Sequence, residues 1–171
     1  GDISVTLNDN AVEDSVGNQT TGATPFAYKH DGTDPTITTS SIASSNGTNT
    51  LAKSGDTITL TIVADEDIAS PTVTFASGGQ DIAADRITVA AGDDDDATTW
   101  SASYVVADAD TDGAVTISIT ATDLAGNEAA AHTTISAGSV NVDKTAPSIT
   151  TSSIASSNGT NTLAKSGDTI T

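Results

Sequence analysis

The 23 residues Ile37–Thr59, ITTSSIASSNGTNTLAKSGDTIT, recur without a change as Ile149–Thr171. A chain that repeats itself 112 positions further on is expected to fold as successive modules of that length. The repeat divides the sequence into residues 1–33, the C-terminal part of a preceding unit; 34–144, a complete unit; and 145–171, the N-terminal part of a following one. The first part aligns as well. GDISVTL…VGN…HDGTDPTI parallels GAVTISI…AGN…VDKTAPSI, matching Gly1 with Gly113 and Asp31 with Asp143, with extra residues ahead of Gly17-Asn18. The second copy stops inside a unit, so the chain is expected to be a piece of a longer array.

Within the unit the apolar residues alternate with period two, which puts them on one face of a strand rather than one face of a helix. Ile58, Leu60 and Ile62 share a face, as do Val73 and Phe75, then Trp100, Ala102, Tyr104 and Val106, then Val115, Ile117, Ile119 and Ala121. Thr and Ser fill the opposite faces, as a solvated sheet surface favours. Turn signals separate the runs: Asn46-Gly47, Ser54-Gly55-Asp56, Gly78-Gly79, Gly92-Asp93, Asp112-Gly113 and Gly126-Asn127. The pattern predicts about seven strands, near 36–42, 56–64, 71–77, 86–91, 98–107, 114–123 and 132–142. ADEDIAS is the one place for a helical turn. Seven short alternating strands in such a unit predict an all-β fold, an antiparallel Ig-like β-sandwich in tandem repeats of 112 residues. Trp100 is expected as its core anchor between the sheets.

Charge narrows the function. Asp and Glu number 23 against 5 Lys and Arg, a formal net charge of −18. Phosphate recognition needs basic patches, so nucleic acid is excluded as a partner. An anionic membrane surface is disfavoured for the same reason. Cations or a salty medium suit such a chain, and plain solubility explains the charge equally well. With no cysteine there is no disulfide framework, and no apolar run approaches the about 20 residues of a membrane helix.

Three acidic groups are candidate Ca²⁺ ligands, each also readable as an ordinary turn. Asp108, Asp110 and Asp112 precede Gly113 as D-x-D-x-D-G, the opening of a calcium loop, but the twelfth position is Ile119 and not the Glu of an EF-hand. The unit border collects Asp123 and Asn127 at a strand end, Asp143 at the junction, and Asp65, Glu66 and Asp67 in the loop after the second strand. Asn18, Asp31 and Asp34 hold the matching places one unit earlier. A border draws oxygens from two modules, and Ca²⁺ needs six to eight. The run Asp93–Asp96 reads as a solvated loop whose like charges a cation would relieve. Catalysis has no support in the motifs: there is no G-x-S-x-G elbow, no Cys, no H-E-x-x-H and no phosphate loop. His30 and His132 sit near strand ends, and no motif in the sequence joins either to a catalytic residue. Three N-x-T sequons begin at Asn18, Asn46 and Asn158.

SGDTITLTIVADEDI, SPTVTF, DGAVTISITATDLAGNEA and VDKTAPSIT, in this order, resemble the bacterial Ig-like tandem repeats of large surface adhesins, including the repeats-in-toxin type. The D-x-A-G-N turn at Asp123–Asn127 and the D-x-T-x-P border at Asp143–Pro147 carry most of the likeness. The segment TLNDNAVEDSVGN departs from it. The resemblance implies a non-enzymatic extender, extracellular and on a cell surface, whose partners are the neighbouring repeats and whose units or junctions are stiffened by Ca²⁺. The alternative is a subunit of a laterally assembled surface layer or fibre, in which identical chains pair along their strand edges. A carbohydrate-binding module would need an exposed aromatic platform, which the inward alternation of Trp100 and Tyr104 argues against.

Overall fold

The computed structural model describes residues 2–6, 8–21, 26–93, 96–160 and 162–171. Strands β1 (Asp2–Val5) and β2 (Phe26–Lys29) form a separate hairpin. The main body follows with β3 (Ile37–Ser44), β4 (Leu51–Ala52), β5 (Thr57–Ala64), β6 (Thr72–Ser77), β7 (Gln80–Asp81), a 3-10 turn (Ala84–Arg86), β8 (Thr88–Asp93), β9 (Asp96–Val105), β10 (Gly113–Thr120) and β11 (Asn141–Val142). One sheet has the order β3-β5-β9-β8 and the other β4-β11-β10-β6-β7. All pairs are antiparallel except β4 with β11. No α-helix occurs among the described residues.

The alternation decides how the sheets meet. Ile58, Leu60, Ile62, Ala102 and Tyr104 from one sheet and Val73, Phe75, Val115, Ile117 and Ile119 from the other are all buried in one cluster. The fold is therefore a β-sandwich, each sheet turning its apolar face inward and its Ser/Thr face to solvent. Phe75 and Tyr104 touch across it with ring centroids 5.0 Å apart. Trp100 is only half-buried, bridging the main cluster and a smaller one of Ala64, Ile68 and Ala121. Its indole N–H donates to the Ala97 carbonyl at 2.9 Å. The central anchors are thus Tyr104 and Phe75, and Trp100 closes one end. The ADEDIAS segment forms bends and a bridge at Ile68 to Asp123, and the only helical turn among the described residues lies at Ala84–Arg86.

The last expected strand, 132–142, is not continuous. It bonds to β10 at His132, crosses to β3 at Ser136 and Ala137, then returns as β11 between β10 and β4. Gly138 permits the crossing: its φ is +79°, and a Cβ there would lie 2.2 Å from the Ile42 carbonyl oxygen. The crossing stitches the two sheets together along one side. Ser40, fully buried, anchors it by donating from Oγ to the Thr134 carbonyl at 2.6 Å, while its N–H donates to Ser136 Oγ at 2.6 Å.

The flanking segments repeat the local geometry of the body. In the first hairpin Ile3 stands opposite Tyr28. Their counterparts, Val115 and Val140, are joined by a 2.9 Å backbone bond. At the other end Ser156 bridges Ile170 as Ser44 pairs Ile58. The side-chain bonds recur too: Asn158 Nδ2 to Asp168 at 3.0 Å matches Asn46 Nδ2 to Asp56 at 2.7 Å.

The chain enters and leaves the sandwich at opposite poles. At the upstream pole Thr36 donates from N and Oγ1 to the Asp65 carboxylate, both at 2.7 Å. At the downstream pole Lys144 Nζ donates to the carbonyls of Asp108 (2.9 Å) and Asp110 and lies 3.5 Å from the Asp112 carboxylate. Thr145 Oγ1 donates to that carboxylate at 3.0 Å.

Candidate metal centre

The turn after β10 is built around one carboxylate. Asp123 is buried, and its Oδ1 accepts N–H bonds from Ala125 (2.8 Å), Gly126 (2.6 Å) and Asn127 (2.8 Å). Its Oδ2 accepts from Asn127 Nδ2 at 2.7 Å. Burial alone would raise the pKa of this group, but the donors, led by the Asn127 amide, outweigh it and hold the carboxyl below the usual range. Gly126, at φ +98°, supplies the left-handed step that lets three successive N–H groups face one oxygen. Asn127 Nδ2 also reaches the Asp31 carbonyl at 3.4 Å, linking this turn to the segment before the sandwich.

Glu66, from the loop after β5, and Asp31 complete the group. One carboxylate oxygen from each of Asp31, Glu66 and Asp123 lies within 4.8 Å of the others. Ligands on opposite sides of a Ca²⁺ ion, each at about 2.3–2.6 Å, stand about that far apart. The three carboxylates bring one oxygen each to this point, and solvent reaches the half-buried Asp31 and Glu66 to supply the remaining oxygens a Ca²⁺ ion needs. Burial and then the charges of Asp31, Asp123 and Asp65 push the Glu66 pKa up, and Lys29 partly offsets this. The group opens into a cleft of about 470 Å³ lined by Lys29, Asp67 and Leu124. It is therefore an oxygen-rich, mutually repelling site that a hard cation would relieve.

The structure redistributes the residues expected at the border. Asp123 and Asn127 do not meet Asp143; they meet Asp31, because β10 carries the chain from the downstream pole to the upstream one before the turn. Asp143 stays at the downstream pole, exposed, and accepts the Thr145 N–H at 2.9 Å. Asp65 holds Thr36, Asp67 lines the cleft and Asp34 is exposed; none of the three belongs to the converging group.

The D-x-D-x-D-G loop is likewise not gathered around one point. Asp110 is buried against Arg86, whose Nη1 and Nη2 donate to it at 2.5 and 2.8 Å, and it also accepts the Ala107 N–H at 2.8 Å. That pairing holds Asp110 below the usual carboxylate range and raises Arg86. Asp112 faces Lys144 and Thr145, and Asp108 is exposed and contributes its carbonyl to Lys144. The cations at this pole are the protein's own side chains. The carboxylates of Asp93–Asp96 lie outside the described residues.

The sequence does not distinguish Glu66 as the converging acid of its loop, and it does not reveal the turn built on Asp14. Glu66 stood among three adjacent acids, with nothing local to rank it above Asp65 and Asp67. Asp14 was hidden by the extra residues before Gly17. Its carboxylate accepts from Val16 N (3.0 Å), Asn18 N (2.9 Å) and Asn18 Nδ2 (2.8 Å), so DSVGN forms the same turn as DLAGN. The D-x-x-G-N spacing was the signal for it. The three sequon asparagines all donate their side-chain amide to a carboxylate, Asn18 to Asp14, Asn46 to Asp56 and Asn158 to Asp168. His132 Nε2 lies 3.1 Å from Ser40 Oγ, but that serine is fully buried and serves the crossing of the last segment.

No protein-family model matches this chain, and comparison with curated proteins finds no match either.

Proposed function

We propose that this chain is part of an extracellular, cell-surface extender: Ig-like modules joined end to end, with no enzymatic role, that set a distance. The observation that carries this reading is the placement of the chain ends of the sandwich at opposite poles. Modules joined in that way add length with every copy. The strand order β3-β5-β9-β8 facing β4-β11-β10-β6-β7 supports the Ig-like assignment, since it places the first, second, fifth and fourth long strands in one sheet. The repeated registers of the flanking segments support the tandem array.

Ca²⁺ at Asp31, Glu66 and Asp123 is proposed as the stiffener of the upstream border. Asp31 belongs to the connecting segment and the other two to the sandwich, so one ion would tie the two together. The test is thermal melting of a chain carrying two complete repeats in millimolar Ca²⁺, Mg²⁺ or EDTA. A ligand bound only by the folded state raises stability as RT ln(1 + [L]/Kd). A rise in Tm with Ca²⁺ that Mg²⁺ does not match supports the stiffened border; coincident melts remove calcium from the account. Sedimentation of the same chain separates the extender from a laterally assembled layer. The extender stays monomeric and elongated at all concentrations, whereas a layer subunit associates.

A further inference from the structure

The two borders of the complete unit read HDGT (30–33) and VDKT (142–145). Both keep the turn in which the Asp carboxylate accepts the N–H two residues on, Thr33 to Asp31 at 3.2 Å and Thr145 to Asp143 at 2.9 Å. The residue between differs: Gly32 at one border, Lys144 at the other. The lysine is turned inward. Only 19% of its side chain is exposed, and its Nζ sits against three oxygens of loop 108–112: the carbonyls of Asp108 (2.9 Å) and Asp110, and Asp112 Oδ1 at 3.5 Å. An ammonium taken this far out of water needs such oxygens around it. Two of the three belong to the main chain, so the cage is made by the path of the loop and not by its acidity alone. That path has supports apart from the lysine. Arg86 and the Ala107 N–H hold the Asp110 carboxylate, and Ser77 Oγ donates to the Thr111 carbonyl at 2.7 Å. The exit segment is bound to the same loop, Lys144 N–H to Asp112 Oδ1 at 3.3 Å and Thr145 Oγ1 to Asp112 Oδ2 at 3.0 Å.

We propose that the Lys144 ammonium is a tethered stand-in for a metal ion. It fills the oxygen cage of loop 108–112, staples the exit segment to that loop and makes this border independent of metal. Carbonyls and a carboxylate converging on one cation, with water in the remaining positions, are also the ligand chemistry of Ca²⁺. A lysine presents a compact charge with three donors on a flexible stem, so it can occupy the same point. While it does, it excludes a divalent cation by volume and by charge. The residue after the border Asp is then the selector. Lysine gives a self-contained joint, whereas glycine, as at Gly32, brings no ammonium and leaves a cage of this kind to an external cation. The inference rests on contacts inside the complete unit and not on Ca²⁺ at Asp31, Glu66 and Asp123, so either can fail while the other stands.

The test is Ca²⁺ titration of the ¹⁵N-labelled full chain, followed by NMR shifts and amide exchange, with Lys144 and with Lys144→Gly. Both chains carry Glu66→Gln, so that the group at the upstream pole is silent. With Lys144 in place, the amides of residues 107–113 and Thr145 should be the same in millimolar Ca²⁺ and in EDTA. In Lys144→Gly they should exchange at least about tenfold faster in EDTA, and Ca²⁺ should shift them saturably and restore the slow exchange. Lys144→Ser should gain the same response, which separates the loss of the ammonium from the added backbone freedom of glycine. Absence of Ca²⁺-dependent shifts at residues 107–113 in both variants overturns the proposal. So do equal shifts there with Lys144 present, which would mean that the ammonium does not fill the cage.

Discussion

Asp123 and Glu66 face the same cleft and carry opposite shifts. Four N–H donors stabilise the charged form of Asp123, while burial and three neighbouring carboxylates destabilise that of Glu66. The raised Glu66 pKa means the folded state is penalised at neutral pH, and the penalty is relieved as pH falls through its folded value. Glu66→Gln is therefore expected to raise Tm in EDTA and to abolish any rise with Ca²⁺, both read in one set of melts. At the downstream pole the relation is reversed. Asp110 is held low by Arg86, so its contribution is complete above the unfolded carboxylate value and is lost as pH falls through the folded one. Arg86→Ala leaves the buried Asp110 carboxylate with the Ala107 N–H and the nearby Lys144 charge, and denaturant unfolding should show a loss of about 2–3 kcal/mol, under the range for a fully buried pair because Arg86 is partly exposed and Lys144 remains. Sequence made the Asp123 turn legible, because D-x-x-G-N places Gly where the left-handed step is needed. It could not rank Glu66 above its acidic neighbours, nor foresee that Arg86 and Lys144 answer the charges of Asp108–Asp112. Those pairings join residues distant in sequence and have no local pattern.

Among the elements, the long strands were the easiest to read. β5, β6, β9 and β10 lie within a few residues of the expected runs, since a period-two pattern with one buried face fixes both register and direction. The segment 132–142 was harder. It alternates weakly, changes partner twice and pairs only at single positions and along a two-residue strand. A local pattern signals that a strand exists and says nothing about its transfer between sheets. Gly138 is the residue on which that transfer depends. Gly138→Val puts a β-branched residue at φ +79° and drives its Cβ into the Ile42 carbonyl. The expected loss is about 3 kcal/mol or more in chemical denaturation, with amide exchange accelerated first at Ile42 and Ala137. An unchanged unfolding midpoint would mean that the crossing is dispensable.

On the scale of the molecule, acidity and modularity point the same way. Several of the carboxylates are held below their usual range by hydrogen bonds, Asp56 chiefly by Asn46 and Asp65 chiefly by Thr36. The sandwich should therefore hold through mild acid and lose stability only once pH falls through those depressed values, which a circular-dichroism pH titration would follow. The repeat was legible in the sequence itself, whereas the pole at which each acidic loop lies depended on strand direction and emerged only with the fold. The central claim is that each repeat adds its full long axis to the protein. The direct measurement is small-angle X-ray scattering of chains carrying one, two and four complete repeats in Ca²⁺. The account predicts a maximum dimension that grows linearly, by about 35–45 Å per repeat from strands of about ten residues plus their loops. A dimension that levels off, or a mass that rises with concentration, would contradict it.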